Sequence, residues 1–448
     1  MGLFDRIRGD DGPRVAFIGI DGVPYSLLAD HPEEFPNFAA IEREGSGGAI
    51  DSIVPPESSA CWPALTTGMN PGETGVYGFQ DREVGSYETY VPMGRDVQAK
   101  RLWTRVDDAG REATVMNVPV TFPPDREIQR QVSGFLSPGV DKAAYPDELR
   151  EYLEGMGYRI DVNAKLGHDE DKTDFIEDAH ETIDKRFEAF EHYLAEDDWD
   201  LFFGVFMTTD RVNHFLFRDY EQDGEYYEEF MDFYRKVDDY IGQIREMLPD
   251  DVTLVVASDH GFTTLEYEVH FNEWLEQEGW LEYEGDDPDE LGDIADETRA
   301  YSLIPGRFYI NLEGREPRGS VPESEYQETR AELKEALESL TGPDGEEVVD
   351  RVETKEDAFR GDHDDIAPDL VAIPNHGFDL KAGFGGDGEV FGTGPRNGMH
   401  SFDNACLYID DPDARVSDAD LYDIAPSILT LLDMEYDRSS LDGATLLK

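Results

Sequence analysis

The sequence predicts an α/β fold: a mostly parallel central sheet flanked by helices, with a cap inserted into its second half. Three observations predict it. Short, uninterrupted apolar runs recur along the chain, helical stretches separate them, and beyond Phe262 this alternation gives way to acidic and glycine-rich segments. A chain of 448 residues is long enough for one large core plus an insertion.

The first run is Val15-Ala16-Phe17-Ile18-Gly19-Ile20. A strand covered on both faces needs apolar residues at every position, and this run stops at Asp21-Gly22, a turn. Equivalent runs are Thr114 to Val118, Leu201 to Phe206 and Thr253 to Ala257. Helices are expected around Phe38 to Arg43, Arg101 to Asp108 and Glu225 to Met247, so strands alternate with helices as βαβ units do. Acidic residues dominate Glu282 to Glu297; the apolar segment Arg307 to Leu312 and a polar helix near Glu323 to Leu340 follow. Ala382 to Gly398 lacks an apolar period and is expected as a mobile loop leading into His400. A last helix from about Asp420 to Leu432 closes the core. The expected division is an extension 1–13, a catalytic core 14–262, an inserted cap and sheet edge 263–398, and the end of the core 399–448.

Charge excludes some partners. Lys and Arg number 38 against 102 Asp and Glu, a net charge of −64. Such a surface repels duplex nucleic acid and anionic membranes in dilute salt. The acids are spread through nearly every segment, the composition of a protein from a salt-accumulating halophile. At ~1 M salt the Debye length is roughly 3 Å, so the charge does not bar a small anionic substrate. With 39% hydrophobic residues the chain is no disordered acidic polymer. Cys61 and Cys406 are too few for a disulfide framework. Residues Met1 to Arg8 lack a signal-peptide core, and no run approaches the ~20 apolar residues that span a bilayer, so a soluble cytoplasmic protein is expected. The oligomeric state leaves no mark on the sequence.

Asp21, Asp210 and the pair Asp259-His260 each follow an apolar run. Ligands of open parallel sheets bind at the carboxyl ends of the strands, where these distant residues would converge. Singly, each could be a helix cap or turn residue. Asp210-Arg211-Val212-Asn213-His214 spaces a carboxylate and an imidazole four apart, which places both on one helical face or lets a turn present both to one ion. Ser258-Asp259-His260-Gly261-Phe262 projects two polar side chains from a strand end. Pro55 to Gly68 reads as a loop and then a short helix starting near Ser58, where a hydroxyl sits beside free N–H groups that favour an anion. The plain alternative is an N-cap at Ser58 or Ser59.

Together these motifs resemble the type I phosphodiesterases and nucleotide pyrophosphatases of the alkaline phosphatase superfamily. The resemblance rests on Gly19-Ile20-Asp21-Gly22, on Thr67-Gly68 with Pro71 and Gly75, on Asp210 with His214, on Ser258-Asp259-His260-Gly261 and on Gly398-Met399-His400-Ser401-Phe402-Asp403-Asn404, in family order. It implies a three-layer, alkaline-phosphatase-like fold. It also implies two divalent metal ions, zinc by preference and manganese as the alternative, one bound by Asp210, His214 and His400, the other by Asp21, Asp259, His260 and the nucleophile. Counting back from Thr67-Gly68, the nucleophile falls on Ser58, with Ser59 as the fallback. The implied activity is phosphodiester hydrolysis of a small substrate through a phosphoseryl intermediate. Alternatives are a phosphomonoesterase, phosphomutase or phosphonate hydrolase, or a non-catalytic metal-stabilised binding protein. Two departures stand out: Cys61, a weak donor, replaces an Asn that helps the family's pyrophosphatases bind a phosphate oxygen, and Ser401-Phe402 stands where Gly and Tyr are common.

Overall fold

The computed structural model describes residues 12–448 apart from 197, 286–287, 289 and 384–387. Of the expected extension 1–13, all but the last two residues lie outside that range. An eight-stranded sheet forms the centre, in the order Ser46–Ile50, Ala405–Ile409, Val252–Ala257, Arg14–Ile20, Leu201–Phe206, Ala113–Val118, Arg130–Ser133 and Ala144–Tyr145. The five strands from Val252–Ala257 to Arg130–Ser133 run parallel, and antiparallel strands close both flanks.

Continuous apolar runs become parallel strands because both faces are covered. Along Arg14–Ile20, Ala16, Ile18 and Ile20 enter one apolar cluster and Val15 and Phe17 the other. Helices Pro36–Glu44, Thr173–Ala195, Thr208–Glu221 and Tyr227–Met247 pack on the first face, and Ser58–Thr67, Leu102–Asp108 and Ile424–Leu431 on the second. The result is three layers. Gly19 interrupts the run for a reason: a Cβ there would collide with the Trp62 ring, which crosses the strand on its way to the site.

Residues after the central sheet's Val252–Ala257 strand build a second, smaller body with its own apolar cluster, from Val269 to Leu380. Strands Ala300–Leu303, Arg307–Ile310, Leu370–Pro374 and Val349–Thr354 form an antiparallel sheet against helix Tyr326–Glu338. Its two connections to the core are clipped together, because Gly261–Thr264 pairs antiparallel with Gly398–Ser401. Buried ion pairs Arg307–Asp81 (2.5 Å) and Arg82–Glu316 (2.6 Å) fix how this body docks on the loop after Gly75. Such pairs add little net stability but specify register.

The expected loop from Ala382 to Gly398 is corrected in part. Phe391–Gly392 is a short strand paired with Tyr267–His270, so backbone hydrogen bonding holds a segment that has no apolar period to announce it. Residues 384–387 of that segment lie outside the described residues. Among the described residues no helix is long and apolar enough to cross a membrane.

Candidate active site

Three neighbouring strands deliver the carboxylates to one edge. Asp21 follows Ile20 directly, Asp259 and His260 follow the adjacent strand Val252–Ala257, and Leu201–Phe206 on the other side leads into the helix bearing Asp210. Asp210 is not at the strand end itself: it occupies the first turn of helix Thr208–Glu221, and His214 lies one turn further on the same face. His400 arrives from the second strand of the clip, opposite Phe262. Ser58 opens the ten-residue helix Ser58–Thr67.

All seven expected residues meet. His400 Nε2 lies 3.2 Å from Asp210 Oδ1 and 3.1 Å from His214 Nε2, and His214 Nε2 lies 3.4 Å from Asp210 Oδ1. On the other side, Ser58 Oγ is 3.2 Å from His260 Nε2 and 3.4 Å from Asp21 Oδ1, while His260 Nε2 is 3.5 Å from Asp259 Oδ2. His260 joins the two groups, since its ligand atom also falls within 4.8 Å of those of Asp210 and His400. Ser59 turns elsewhere, into a small cavity lined by Met93, Val120 and Phe122.

The donor set fits metal ions. Nδ1 of His214, His260 and His400 lies 3.1, 3.0 and 3.2 Å from the carbonyl oxygens of Gly398, Gly261 and Pro56. A carbonyl only accepts, so each Nδ1 carries the hydrogen and each Nε2 turns toward the carboxylates. Asp259 Oδ2 is buried and accepts no hydrogen bond among the described residues. Oxygen and nitrogen lone pairs thus converge from several sides, an arrangement that a cation satisfies.

The electrostatics agree. Burial, with Asp259 and Asp210 close by, raises the Asp21 carboxyl well above its usual range, against the 2.7 Å bond it accepts from Trp62 Nε1. Burial pushes Asp259 up to about 7 and pulls His260 down to about 3. Asp210 moves the other way: burial raises it, but His214, His400 and Arg211 outweigh that and hold it well below the usual carboxylate range. Without added positive charge at the centre, burial drives Asp21, Asp259 and His260 toward neutrality, while Asp210 stays ionised beside the other histidines.

The sequence model of the family described as type I phosphodiesterase / nucleotide pyrophosphatase matches residues 15–403. The chain belongs to that family. Its members are hydrolases of phosphoric ester bonds, and the motifs quoted above lie within the matched span. Solved structures share the fold. Phosphonoacetate hydrolase from Sinorhizobium meliloti 1021, solved with phosphonoacetate, superposes at TM-score 0.64 with 16% identity over 94% of this chain and 96% of its own. Murine ectonucleotide pyrophosphatase / phosphodiesterase 5 gives 0.56 and 15% over 97% and 100%, and the human protein 0.56 and 13% over 96% and 97%. No curated protein matches the sequence significantly.

In this phosphodiesterase-family chain the site opens onto a cavity of about 280 Å³. Ser58, Asp210 and His400 form its floor, and Ile304, Pro305 and Phe378 of the second body face them. Sequence reasoning missed several residues here. Arg211 lines the cavity with its guanidinium 4.4 Å from the Phe135 ring, paired to Asp161 at 3.0 Å; the signal was a cation beside Asp210 in a motif already singled out. Lys381 and Arg396 come from the second body, where nothing in the spacing marks them. Cys61 is buried beside Ser52, 3.4 Å from its hydroxyl, and does not line the cavity.

Proposed function

We propose that this chain is a two-metal phosphodiesterase in which Ser58 is the nucleophile. The observation that carries this reading is the position of Ser58 Oγ, within 3.4 Å of both His260 and Asp21 and open to the cavity over the metal-ligand set. Asp210, His214 and His400 would hold one ion, and Asp21, Asp259, His260 and Ser58 the other. Bound there, divalent cations would lower the pKa of the serine hydroxyl and offset charge on the phosphoryl oxygens. Carboxylate and imidazole ligands without cysteine suit zinc, with manganese as the alternative.

The chain's own residues supply the rest. Ser58 Oγ forms a bond to phosphorus as the bond to the leaving oxygen breaks in line, and the phosphoseryl ester is then opened by water, which returns the serine. The first turn of helix Ser58–Thr67 favours the anion through its N–H groups. Trp62 fixes one oxygen of Asp21 so that the other faces Ser58. Arg211 supplies positive charge at the wall where a phosphoryl oxygen would lie.

Residues 263–398 act as the cap that selects the leaving group. The apolar wall of Ile304, Pro305 and Phe378 suits the carbon body of a second ester group, which favours a small diester over a monoester. Cys61, turned away from the cavity, argues against the nucleotide pyrophosphatase branch. The distributed charge of −64 suits a salt-rich cytoplasm and speaks against duplex nucleic acid and membrane partners.

Turnover of bis-p-nitrophenyl phosphate, p-nitrophenyl phosphate and phosphonoacetate, in molar salt with zinc or manganese, tests the reading. The expected result is a higher kcat/KM for the diester. Preference for phosphonoacetate would support the phosphonate hydrolase alternative, and no turnover of any of them by metal-loaded protein would leave a structural metal centre.

A further inference from the structure

A second cavity, of about 540 Å³, lies on the core and shares no wall residue with the catalytic one. Four cations line it, Arg95, Lys100, Arg101 and Arg126, against one carboxylate, Asp125, in a chain whose net charge is −64. Two of the four are already paired, Arg95 with Asp96 at 3.7 Å and Lys100 with Asp108. Among the described residues, Arg101 and Arg126 form no ion pair.

Arg101 is the anomaly. It is 7% exposed, and the one hydrogen bond it makes among the described residues runs from Nη2 to the Val120 carbonyl at 2.5 Å. Other buried arginines are matched: Arg14 with Asp251, Arg82 with Glu316, Arg307 with Asp81, Arg330 with Glu356. Arg186, which also lacks a carboxylate, donates to the carbonyls of Val205, Arg159 and Ile160 instead. Burial pulls Arg101 down to about 10, and Asp125 on the same cavity wall opposes that without pairing with it. The Arg101 guanidinium lies 5.3 Å from the Trp103 ring on the same wall, and beyond the bond to Val120 no hydrogen bond among the described residues holds it, which leaves its other donors for an occupant of the cavity. Val120 carries strain as well: its φ of 56° is a left-handed conformation that β-branched residues avoid, and it aims the carbonyl at the guanidinium.

We infer that this cavity binds a small phosphate-class oxyanion, held by the guanidinium of Arg101 with Arg126 and the Thr104 hydroxyl on the same walls. A guanidinium offers paired N–H donors in the geometry that tetrahedral oxyanions accept, and a half-buried site strengthens such charge-assisted bonds. Orthophosphate and a phosphomonoester share this chemistry. The inference is independent of how the metal centre works.

Calorimetric titration of orthophosphate, of a phosphomonoester and of acetate into the metal-loaded protein, at constant molar ionic strength, tests it. The expected result is a phosphate-binding event beyond any at the metal centre, which Arg101→Met abolishes while metal content and turnover stay those of the wild type. Arg126→Ala, on an exposed residue, should weaken the same event roughly tenfold. The two phosphate arms distinguish free phosphate from an ester as the ligand. Arg101→Met that binds phosphate as the wild type does would overturn the inference and leave Arg101 as a strut for the Val120 carbonyl. Equal binding of acetate would overturn the phosphate class. Should Arg101→Met fail to fold, unchanged phosphate binding by Arg126→Ala would overturn it alone.

Discussion

His214 Nε2 stands 3.1 Å from His400 Nε2, and Nδ1 of each ring is committed to a backbone carbonyl. His214, pulled well down by burial, is neutral, whereas His400, which burial lowers but Asp210 raises more strongly, keeps a proton on Nε2 toward Asp210, and a cation between these three groups would displace that proton and take its place. His214→Ala and His400→Ala should therefore remove the same ion, and His260→Ala, on the Asp21 and Asp259 side, the other. Elemental analysis should fall from about two ions per chain to about one in each variant. Wild-type protein that retains no zinc or manganese after incubation and desalting would rule out the centre.

Metal binding should release a proton from Asp259. Burial raises this carboxyl to about 7 in the metal-free protein, so between the ordinary carboxylate range and about pH 7 it holds a proton that a cation must displace. Affinity should fall by at least about tenfold per pH unit below 7, because Asp21, raised well above its usual range by burial, and His400, raised by Asp210 against burial, also hold protons that a cation must displace. His260, pulled down to about 3, is neutral throughout that window and adds nothing. Titrations in buffers of different ionisation heat count the proton. Affinity that does not change between about pH 5 and pH 8 would contradict the assignment.

Trp62 links packing to chemistry. Its ring lies over Gly19 and edge-on to Phe17 and Phe203, and its Nε1 donates to Asp21 Oδ2 at 2.7 Å. Trp62→Phe should keep most of the packing but leave that buried oxygen without its donor, at about 1–3 kcal/mol. Metal affinity on the Asp21 side should drop about 10- to 100-fold. Metal titration of the variant checks this, and unchanged affinity would mean that Asp21 needs no orienting partner.

Dilution of salt should unfold the chain. The charge of −64 is distributed, so self-repulsion grows as screening is removed. Melting temperature and turnover should both fall steeply from molar salt to dilute buffer. A melting temperature independent of ionic strength would show that the acidity is not an adaptation to salt.

The four long parallel strands were legible because burial on both faces leaves an unbroken apolar run, as in Leu201–Phe206. The strand Ser46–Ile50 was not, since Ser-Gly-Gly-Ala-Ile at a sheet edge carries little apolar signal. The 23-residue helix Thr173–Ala195 went unnoticed among acidic residues, although Phe175, Ile183 and Phe190 bury its inner face. Motif residues such as Asp21 and His260 could be read because strand ends converge in any parallel sheet. Lys381 and Arg396 could not, because their neighbours in the site come from distant segments that only tertiary packing joins, and the Arg101 cavity could not because its two stretches, 94–104 and 121–131, carry no motif.

The most direct test of the account is whether phosphorus passes through Ser58. Its hydroxyl faces His260 and Asp21, whereas Ser59, about 100° further round the helix, faces Met93 and Val120. Acid quench during steady-state turnover of a diester, followed by peptide mass mapping, should find the phosphoryl ester on Ser58. Ser58→Ala should lose it together with several orders of magnitude in kcat while keeping its metals, and Ser59→Ala should retain both ester and rate. An unmodified Ser58 in an enzyme that turns over, or an active Ser58→Ala beside an inactive Ser59→Ala, would contradict the account.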